Sequence, residues 1–248
     1  MDNLHKNIII FCSTIIIFSY FFGYYVDENS IGSGGYRGDL EWIWQNYEIF
    51  RKQNFIDAIR DESFFGNRTH LLYIINYYLN PFINNIDNYR LSITFFSIVA
   101  SYVFYLCLLN RFKQTNYIYL ILVSLLVLLS PFYRTSAYWG MEIQYGIISA
   151  LLAIYFFTKE DNIKKISSSN LFLSIFFSSC TVYFDLKLVL IPLYIYIKII
   201  FSNLTFKEKV KTSIIYFILA IPFILLIFQW GGLVPIKTQN ANPLQGTH

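Results

Sequence analysis

The sequence predicts an all-α polytopic membrane protein with about seven transmembrane helices and a cytoplasmic N-terminus. Three observations lead to this prediction. Of the 248 residues, 56% are hydrophobic and only 14% are charged, whereas soluble domains carry about a quarter charged residues. Apolar stretches close to the length that crosses a bilayer recur along the chain. Lysine and arginine gather beside alternate connections, as the positive-inside rule describes.

Seven apolar stretches are candidates for membrane spans. They cover residues 8–26, 91–109, 117–133, 143–158, 168–185, 186–202 and 212–230. The first ends in a bulky aromatic run at 21–25 where a cleavable signal would have small residues, so we expect it to be retained. Only a three-residue break separates the fifth and sixth stretches, which form either a tight hairpin or a pair of half-spans. We expect residues 1–248 to form a single transmembrane domain.

The basic residues predict the orientation. With the N-terminus inside, ten cations adjoin the cytoplasmic connections: Lys6, Arg111, Lys113, Lys159, Lys164, Lys165, Lys198, Lys207, Lys209 and Lys211. The short connections on the other side hold only Arg134, Lys187 and Lys237. Seven spans then place the C-terminus outside.

Residues 27–90 form the one long polar segment, which we expect to be an outer first loop. From residue 39 to 59, apolar side chains recur at helical spacing and predict a helix lying on the membrane surface. They are Leu40, Trp42, Ile43, Tyr47, Phe50, Phe55 and Ile59. A second amphipathic stretch, 70–79, ends at Asn80-Pro81 and either lies flat or dips into the membrane. Residues 231–248 are an outer tail or, as we favour, a loop that the sequence cuts short.

Composition and motifs exclude several functions. The net charge of +4 is scattered between apolar runs, so nucleic acid is not expected as a partner. Cys12, Cys107 and Cys180 each lie in an apolar run, where a thiol packs as a small hydrophobe, and no Cys/His cluster predicts a metal site. The phosphate-binding loop, the dinucleotide fingerprint and the common hydrolase motifs are all missing from the sequence.

The stretch that follows the first span, Gly34 to Trp42, is the first candidate site. It combines glycines and Arg37 with two carboxylates, Asp39 and Glu41. Asp39 has two interpretations. It caps the helix that follows a glycine turn, or it accepts a proton from a hydroxyl while a lipid-borne substrate lies beside it.

Residues 130–146, between the third and fourth spans, are the second candidate. Arg134 and Glu142 are charges at the membrane boundary, and Tyr138 and Trp139 are aromatic residues of the kind found there. One interpretation is an aromatic belt with a snorkelling arginine. The other is a site in which Trp139 faces a sugar and Arg134 binds a phosphate.

Asp185 and Lys187, between the fifth and sixth stretches, are the third candidate. They form either a hairpin turn at the surface or functional charges at membrane depth. If Lys187 faces the same cavity as Arg134, two cations lie near Asp39 and can hold a lipid-linked phosphate. His70 is a lone imidazole that we expect at the surface rather than in a ligand site.

This organisation resembles the GT-C superfamily of integral-membrane glycosyltransferases. In that family an aspartate early in the first outer loop, often in a D-x-[DE] setting, serves catalysis, and Asp39-Leu-Glu41 occupies the corresponding place. The stretch 130–139 followed by Glu142 looks like the family's outer loop between its third and fourth spans. Trp230-Gly-Gly bears a weaker likeness to the dolichol-pathway glucosyltransferases.

The resemblance implies a polyprenyl-phosphate sugar as donor and a glycan, lipid or protein acceptor. Asp39 would be the base, and Glu41 would either orient the acceptor or a metal, or simply face water. The residues that would bind substrate are Arg37, Trp42, Arg134, Tyr138, Trp139, Glu142, Asp185 and Lys187. It implies an integral protein of a bacterial inner membrane with its active site on the periplasmic or outer face. No nucleotide is expected, and a divalent metal is left open. The alternatives are a transporter or flippase, which predicts charges buried within spans, and a non-catalytic membrane scaffold.

Overall fold

The computed structural model describes residues 3–30, 35–64, 69–159 and 166–232. Four sequence features fall partly or wholly outside them. These are the glycine turn before residue 35, Lys164 with Lys165, Lys237, and the tail beyond residue 232. The described residues contain no β-strand, so the all-α prediction is confirmed for this part of the chain.

Eleven α-helices form the described structure. They are α1 (Asn3–Tyr25), α2 (Gly35–Lys52), α3 (Phe55–Arg60), α4 (Leu71–Leu79), α5 (Ile86–Arg111), α6 (Tyr117–Leu125), α7 (Pro131–Tyr138), α8 (Ile143–Thr158), α9 (Ser168–Phe184), α10 (Leu190–Ile200) and α11 (Phe206–Trp230). Two short 3₁₀ segments, Leu126–Leu129 and Leu186–Val189, continue α6 and precede α10.

Three helices of the described chain, α1, α5 and α11, are long and apolar enough to cross a membrane. The segment Tyr117–Leu129 and α7 make a fourth candidate if they count as one span bent by 66°. Helices α8 and α9 are apolar but have only 16 and 17 residues. The structure thus supports three or four spans by length and composition, and a count of seven is still a prediction.

Helix α10 covers only part of the predicted span 186–202. Its 11 residues extend about 17 Å, roughly half of a bilayer's hydrocarbon core. Asp185 ends α9, and the chain returns through the 3₁₀ segment to pack α10 against α9. Helix α10 alone is too short to cross a bilayer, so a span over residues 186–202 is still a prediction.

Most helices begin at a side-chain cap that satisfies backbone N–H groups of the first turn. The capping residues are Asn54, Asn85, Asn116, Ser130, Ser167 and Thr205. Ser130 is followed by Pro131 at the first position of α7, and proline cannot continue the preceding helix but suits this position. This Ser-Pro pair explains where the chain bends.

The packed helices have two unlike ends. At one end α2, α3, α4 and α7 cover the end of α1 and the start of α5, and we call this the capped end. At the other end lie the connections that follow α5, α8 and α10, and we call this the lysine-rich end. Its cations among the described residues are Lys6, Arg111, Lys113, Lys159, Lys198, Lys207, Lys209 and Lys211.

The amphipathic helices of the first loop are present with different boundaries. Helix α2 starts at residue 35 and ends at residue 52, so the helix expected over 39–59 is two helices, with Asn54 capping the second. The buried side of α2 is a stripe at helical spacing, formed by Tyr36, Leu40, Ile43, Tyr47 and Phe50. Trp42, expected in that stripe, is exposed. Helix α4 matches the second predicted stretch and ends at Asn80.

A tyrosine from α9 enters the backbone ladder of α11. Pro222 lies inside α11 and cannot donate a hydrogen bond to the preceding turn. The Tyr183 hydroxyl donates to the Leu219 carbonyl and accepts from the Phe223 N–H at 3.2 Å. It therefore satisfies two backbone groups next to the proline, as side chains do where a helix is kinked in a membrane.

We expect Tyr183→Phe to destabilise the protein by about 1–3 kcal/mol, because the two backbone groups lose their partner in an apolar setting. In a Pro222→Ala background the helix can close its own ladder, so the same change should cost less. Unfolding in mixed detergent micelles measures both effects. Tyr196→Phe, which removes only a contact with the Ser213 hydroxyl, is the control and should be independent of Pro222. Equal losses for Tyr183→Phe in both backgrounds would contradict the insertion.

Candidate functional site

A large apolar groove lies between α5, α8 and α9. Its volume is about 890 Å³, and α4 closes it at the capped end. Apolar side chains that line it include Leu71, Ile75, Leu79, Leu91, Phe95, Phe96, Ile148, Leu152, Phe176, Phe177 and Phe184. Several of these, including Leu79 and Phe95, are exposed, so the groove opens to the surroundings of the helices. Such a space suits a hydrocarbon chain and offers little to a polar solute.

Most polar groups of the groove are near the capped end. The Asn80 amide donates to the Asn76 Oδ1 at 2.9 Å and to the Ser92 Oγ at 2.8 Å. The Tyr145 hydroxyl donates to the same Asn76 oxygen at 3.0 Å. These bonds join α4, α5 and α8, and Asn76 is fully buried. They fix α4 as the ceiling of the groove.

Arg134 lies beside the end of α1 and is engaged by several groups. It is only 9% exposed and forms an ion pair with Glu28 at 2.8 Å. It also donates to the Ser19 carbonyl at 2.7 Å and to the Tyr138 hydroxyl at 3.1 Å. The guanidinium is thus held by the protein itself rather than snorkelling into water.

The end of α1 explains why Glu28 meets Arg134. The Asp27 N–H bonds to the Tyr24 carbonyl and the Glu28 N–H bonds to the Gly23 carbonyl, with Asp27 in the left-handed region at φ 51°. This is a Schellman motif, which turns the chain back over the last helical turn. A side chain at Gly23 would collide with Arg134, Glu28 and Tyr138. Glycine at this position therefore leaves room for the ion pair.

Arg90, at the start of α5, forms a second ion pair beside the first. It contacts Asp27 at 2.5 Å and donates to the Tyr138 carbonyl at 2.9 Å. Its guanidinium lies over the Trp139 ring at 4.2 Å, and the Trp139 indole N–H donates to the Glu28 carbonyl at 3.1 Å. Tyr138 and Trp139 are therefore part of a buried joint between α1, α5 and α7.

Three residues of this joint, Arg90, Asp27 and Glu28, did not emerge from the sequence as site residues. The available signal was weak. Two acids follow the first span directly and one base opens the second, but opposite charges at span ends do not reveal that they meet.

Glu142, between α7 and α8, is 4% exposed. Its backbone carbonyl accepts from the Tyr145 and Gly146 N–H groups and so starts α8. Gly140 just before it has φ 68°, and its carbonyl accepts from the Tyr89 hydroxyl at 2.7 Å. Glu142 thus lies inside the protein next to the Tyr89 end of α5 rather than at an exposed boundary.

Asp39 and Glu41 point away from each other. Both lie inside α2, which begins at residue 35, so the interpretation of Asp39 as a cap is wrong. Residues two positions apart in an α-helix are separated by about 200° around its axis. Asp39 is half-buried at the edge of the buried stripe, while Glu41 is exposed. The pair therefore cannot act on one atom or share one ligand.

Arg37 and Trp42 are exposed on α2. In the third candidate region, the Asp185 carboxylate accepts from the Lys187 N–H at 2.9 Å and caps the 3₁₀ segment. Lys187 itself is exposed. Among the described residues, no hydrogen bond or ion pair joins Asp39 to Arg134 or to Lys187.

In the part of the chain that the structure describes, no group of three or more His, Cys, Asp or Glu side chains is arranged to hold a metal ion. The three cysteines are unpaired, and Cys180 lines the apolar groove. Its position fits the expectation that it packs as a hydrophobe.

His70 is buried, so the expectation of a surface residue is wrong. The ring is 3% exposed and packs against Phe64, Trp230 and Phe50 with centroid separations of 4.1, 5.9 and 6.2 Å. Neither ring nitrogen has a hydrogen-bond partner among the described residues. Burial lowers the pKa of His70 to about 4, because the charged form loses its hydration. The ring therefore joins the end of α11 to the layer at the capped end.

No protein-family model, no curated protein and no solved structure matches the chain.

Acid should weaken the fold through His70. An unfolded histidine has a pKa of about 6.5, so between about pH 6.5 and 4 the unfolded chain binds a proton that the folded chain does not. Stability is therefore lost as the pH falls through this range. We expect the stability gap between His70→Phe and the wild type to shift by roughly 1–2 kcal/mol in favour of the variant between pH 7.5 and 5.

Unfolding midpoints at the two pH values measure this shift. His5→Gln, near the start of α1, is the control and should follow the wild type. Identical pH dependence of the wild type and His70→Phe would contradict a buried His70 that stays uncharged in the folded protein.

Proposed function

We propose that the protein is an integral-membrane glycosyltransferase that moves a sugar from a polyprenyl-phosphate donor to an acceptor hydroxyl at the capped end. The observation that carries the proposal is the apolar groove under α4. An enzyme that uses a lipid-borne donor needs a place for the hydrocarbon chain beside a polar layer where the reaction takes place. The groove and the α2–α4 layer provide this combination.

The lining of the groove bears on the kind of substrate. A transporter of a polar solute needs polar or charged groups along its path. The groove is lined almost entirely by hydrocarbon, and the charges of Arg90 and Arg134 are paired at one end of the helices. These features favour a lipid-linked substrate.

In the proposed reaction Asp39 is the general base. Its carboxylate accepts the proton of the acceptor hydroxyl as the oxygen attacks the anomeric carbon. The bond from that carbon to the phosphate oxygen breaks, polyprenyl phosphate leaves with the electron pair, and the configuration inverts. Asp39 suits this role better than Glu41 because it borders the buried side of α2, the helix that packs on α4.

The phosphate needs a cation that is not already used. Arg134 is paired with Glu28, whereas Lys187 is exposed. Phe184 lines the groove, and Lys187 comes three residues later in the chain. Lys187 is therefore close in the chain to the wall of the groove. We therefore assign stabilisation of the leaving phosphate to Lys187, and we assign Arg134, Tyr138 and Trp139 to the joint that holds α7.

The proposed orientation places the lysine-rich end in the cytoplasm and the capped end on the extracytoplasmic face of a bacterial inner membrane. The distribution of cations supports it, because seven lysines and one arginine of the described chain lie at the lysine-rich end. The acceptor is a glycan, a lipid or a protein.

Asp39→Asn and Glu41→Gln test the assignment of the base with equal changes in charge. We expect Asp39→Asn to lower sugar transfer by about a hundredfold or more, and Glu41→Gln to retain most of the activity. The measurement is transfer of radiolabel from polyprenyl-phosphate sugars in membranes, normalised to the amount of protein. Equal activity of the two variants would rule out Asp39 as the base. Transfer absent from the wild type with every donor would favour the flippase alternative.

Leu91→Trp and Val99→Trp test the groove. Both residues lie on α5 with similar exposure, 39% and 37%, but only Leu91 lines the groove. The indole at position 91 should displace the lipid chain and lower transfer from a long-chain donor by about tenfold or more. Val99→Trp should resemble the wild type, and a short-chain donor should reduce the difference. Equal activity of the two variants with the long-chain donor would contradict a role for the groove.

A further inference from the structure

A second groove lies at the lysine-rich end, between α10 and α11. Its volume is about 530 Å³. One wall is a stripe on α11 that recurs every three or four residues from Phe206 to Phe217, and Ile200 on α10 contributes to the other. Lys209 and Ser213 are the polar members of the stripe. From Lys209 to Phe217 the stripe extends about 12 Å, so a fatty-acyl chain can lie along it.

The wall of this groove is held by hydrogen bonds between its two helices. The Ser213 hydroxyl bonds to the Tyr196 hydroxyl of α10 at 3.0 Å and donates to the Lys209 carbonyl at 3.0 Å. Tyr196 and Tyr216 also meet edge to face. The space beside Lys209 therefore lies between two helices that are bonded to each other.

Among the described residues, the charge at this end of α11 is unbalanced. Lys207, Lys209 and Lys211 lie in the first two turns of the helix, where the helix dipole disfavours cations. The one carboxylate among them, Glu208, is held by the N–H and hydroxyl of Thr205 at 2.8 and 2.7 Å. No ion pair to the three lysines occurs within the described residues. An external anion is the charge that complements this surface.

We propose that the α10–α11 groove binds one anionic phospholipid. The acyl chain lies along the stripe from Phe206 to Phe217, and the headgroup phosphate pairs with the Lys209 ammonium. The uncompensated charge of Lys207 and Lys211 selects a lipid with net negative charge over a zwitterionic one. The site lies at the opposite end of the helices from the proposed reaction and does not depend on it.

The three lysines provide matched variants. Lys209 is the only one on the groove stripe, while Lys207 and Lys211 lie about 200° around the helix from it. Lys209→Gln and Lys207→Gln therefore remove the same charge, one inside the groove and one outside it.

Native mass spectrometry of the full chain, with phosphatidylglycerol and phosphatidylcholine titrated in competition, tests the proposal. We expect the wild type to retain one phosphatidylglycerol in preference to phosphatidylcholine. Lys209→Gln should weaken that binding by about fivefold, and Lys207→Gln by less than half as much. Equal weakening in both variants would show general charge attraction without a site. Equal retention of the two lipids by the wild type would show ordinary solvation by lipid, and either result would overturn the proposal.

Discussion

The paired charges at the end of α1 are the constraint on which the capped end depends. Arginine and carboxylate side chains are costly to remove from water unless they meet a partner. Here the Schellman turn after α1 presents Asp27 to Arg90 and Glu28 to Arg134. Three helices distant in sequence are thereby joined, and α7 is held across the end of the helical bundle.

The layer above this joint rests on aromatic contacts. Tyr36 of α2 meets Phe132 of α7, and Tyr47 meets Tyr89 and Tyr73 at 5.2 and 5.0 Å. Because Tyr73 lies on α4, the same contacts hold the ceiling of the apolar groove in place. The groove thus rests on the aromatic layer, and the aromatic layer rests on the joint.

Local features of this fold were predictable from the sequence, and contacts between distant segments were not. Hydrophobic stretches, the helix-ending Pro131 and the amphipathic α4 follow from patterns within one turn or two. The burial of His70 requires aromatic rings from α2 and α11 and from the segment at Phe64, and no local pattern reveals such a meeting. The groove is a space between helices, so no pattern within one helix predicts it. The position of Asp39 in the sequence identifies it as a candidate. That it points away from Glu41 follows only once α2 is known to contain both residues.

Photo-crosslinking tests most directly whether the hydrocarbon chain of a lipid-linked donor lies in the groove under α4, as we propose. A polyprenyl phosphate with a photoreactive group along its chain is added to membranes, and the labelled peptides are mapped. We expect label on the groove-facing residues of α4, α5 and α9, such as Leu79, Leu91 and Phe176, with competition by unlabelled polyprenyl phosphate. Label spread evenly over exposed faces such as that of α1, without competition, would contradict the proposal.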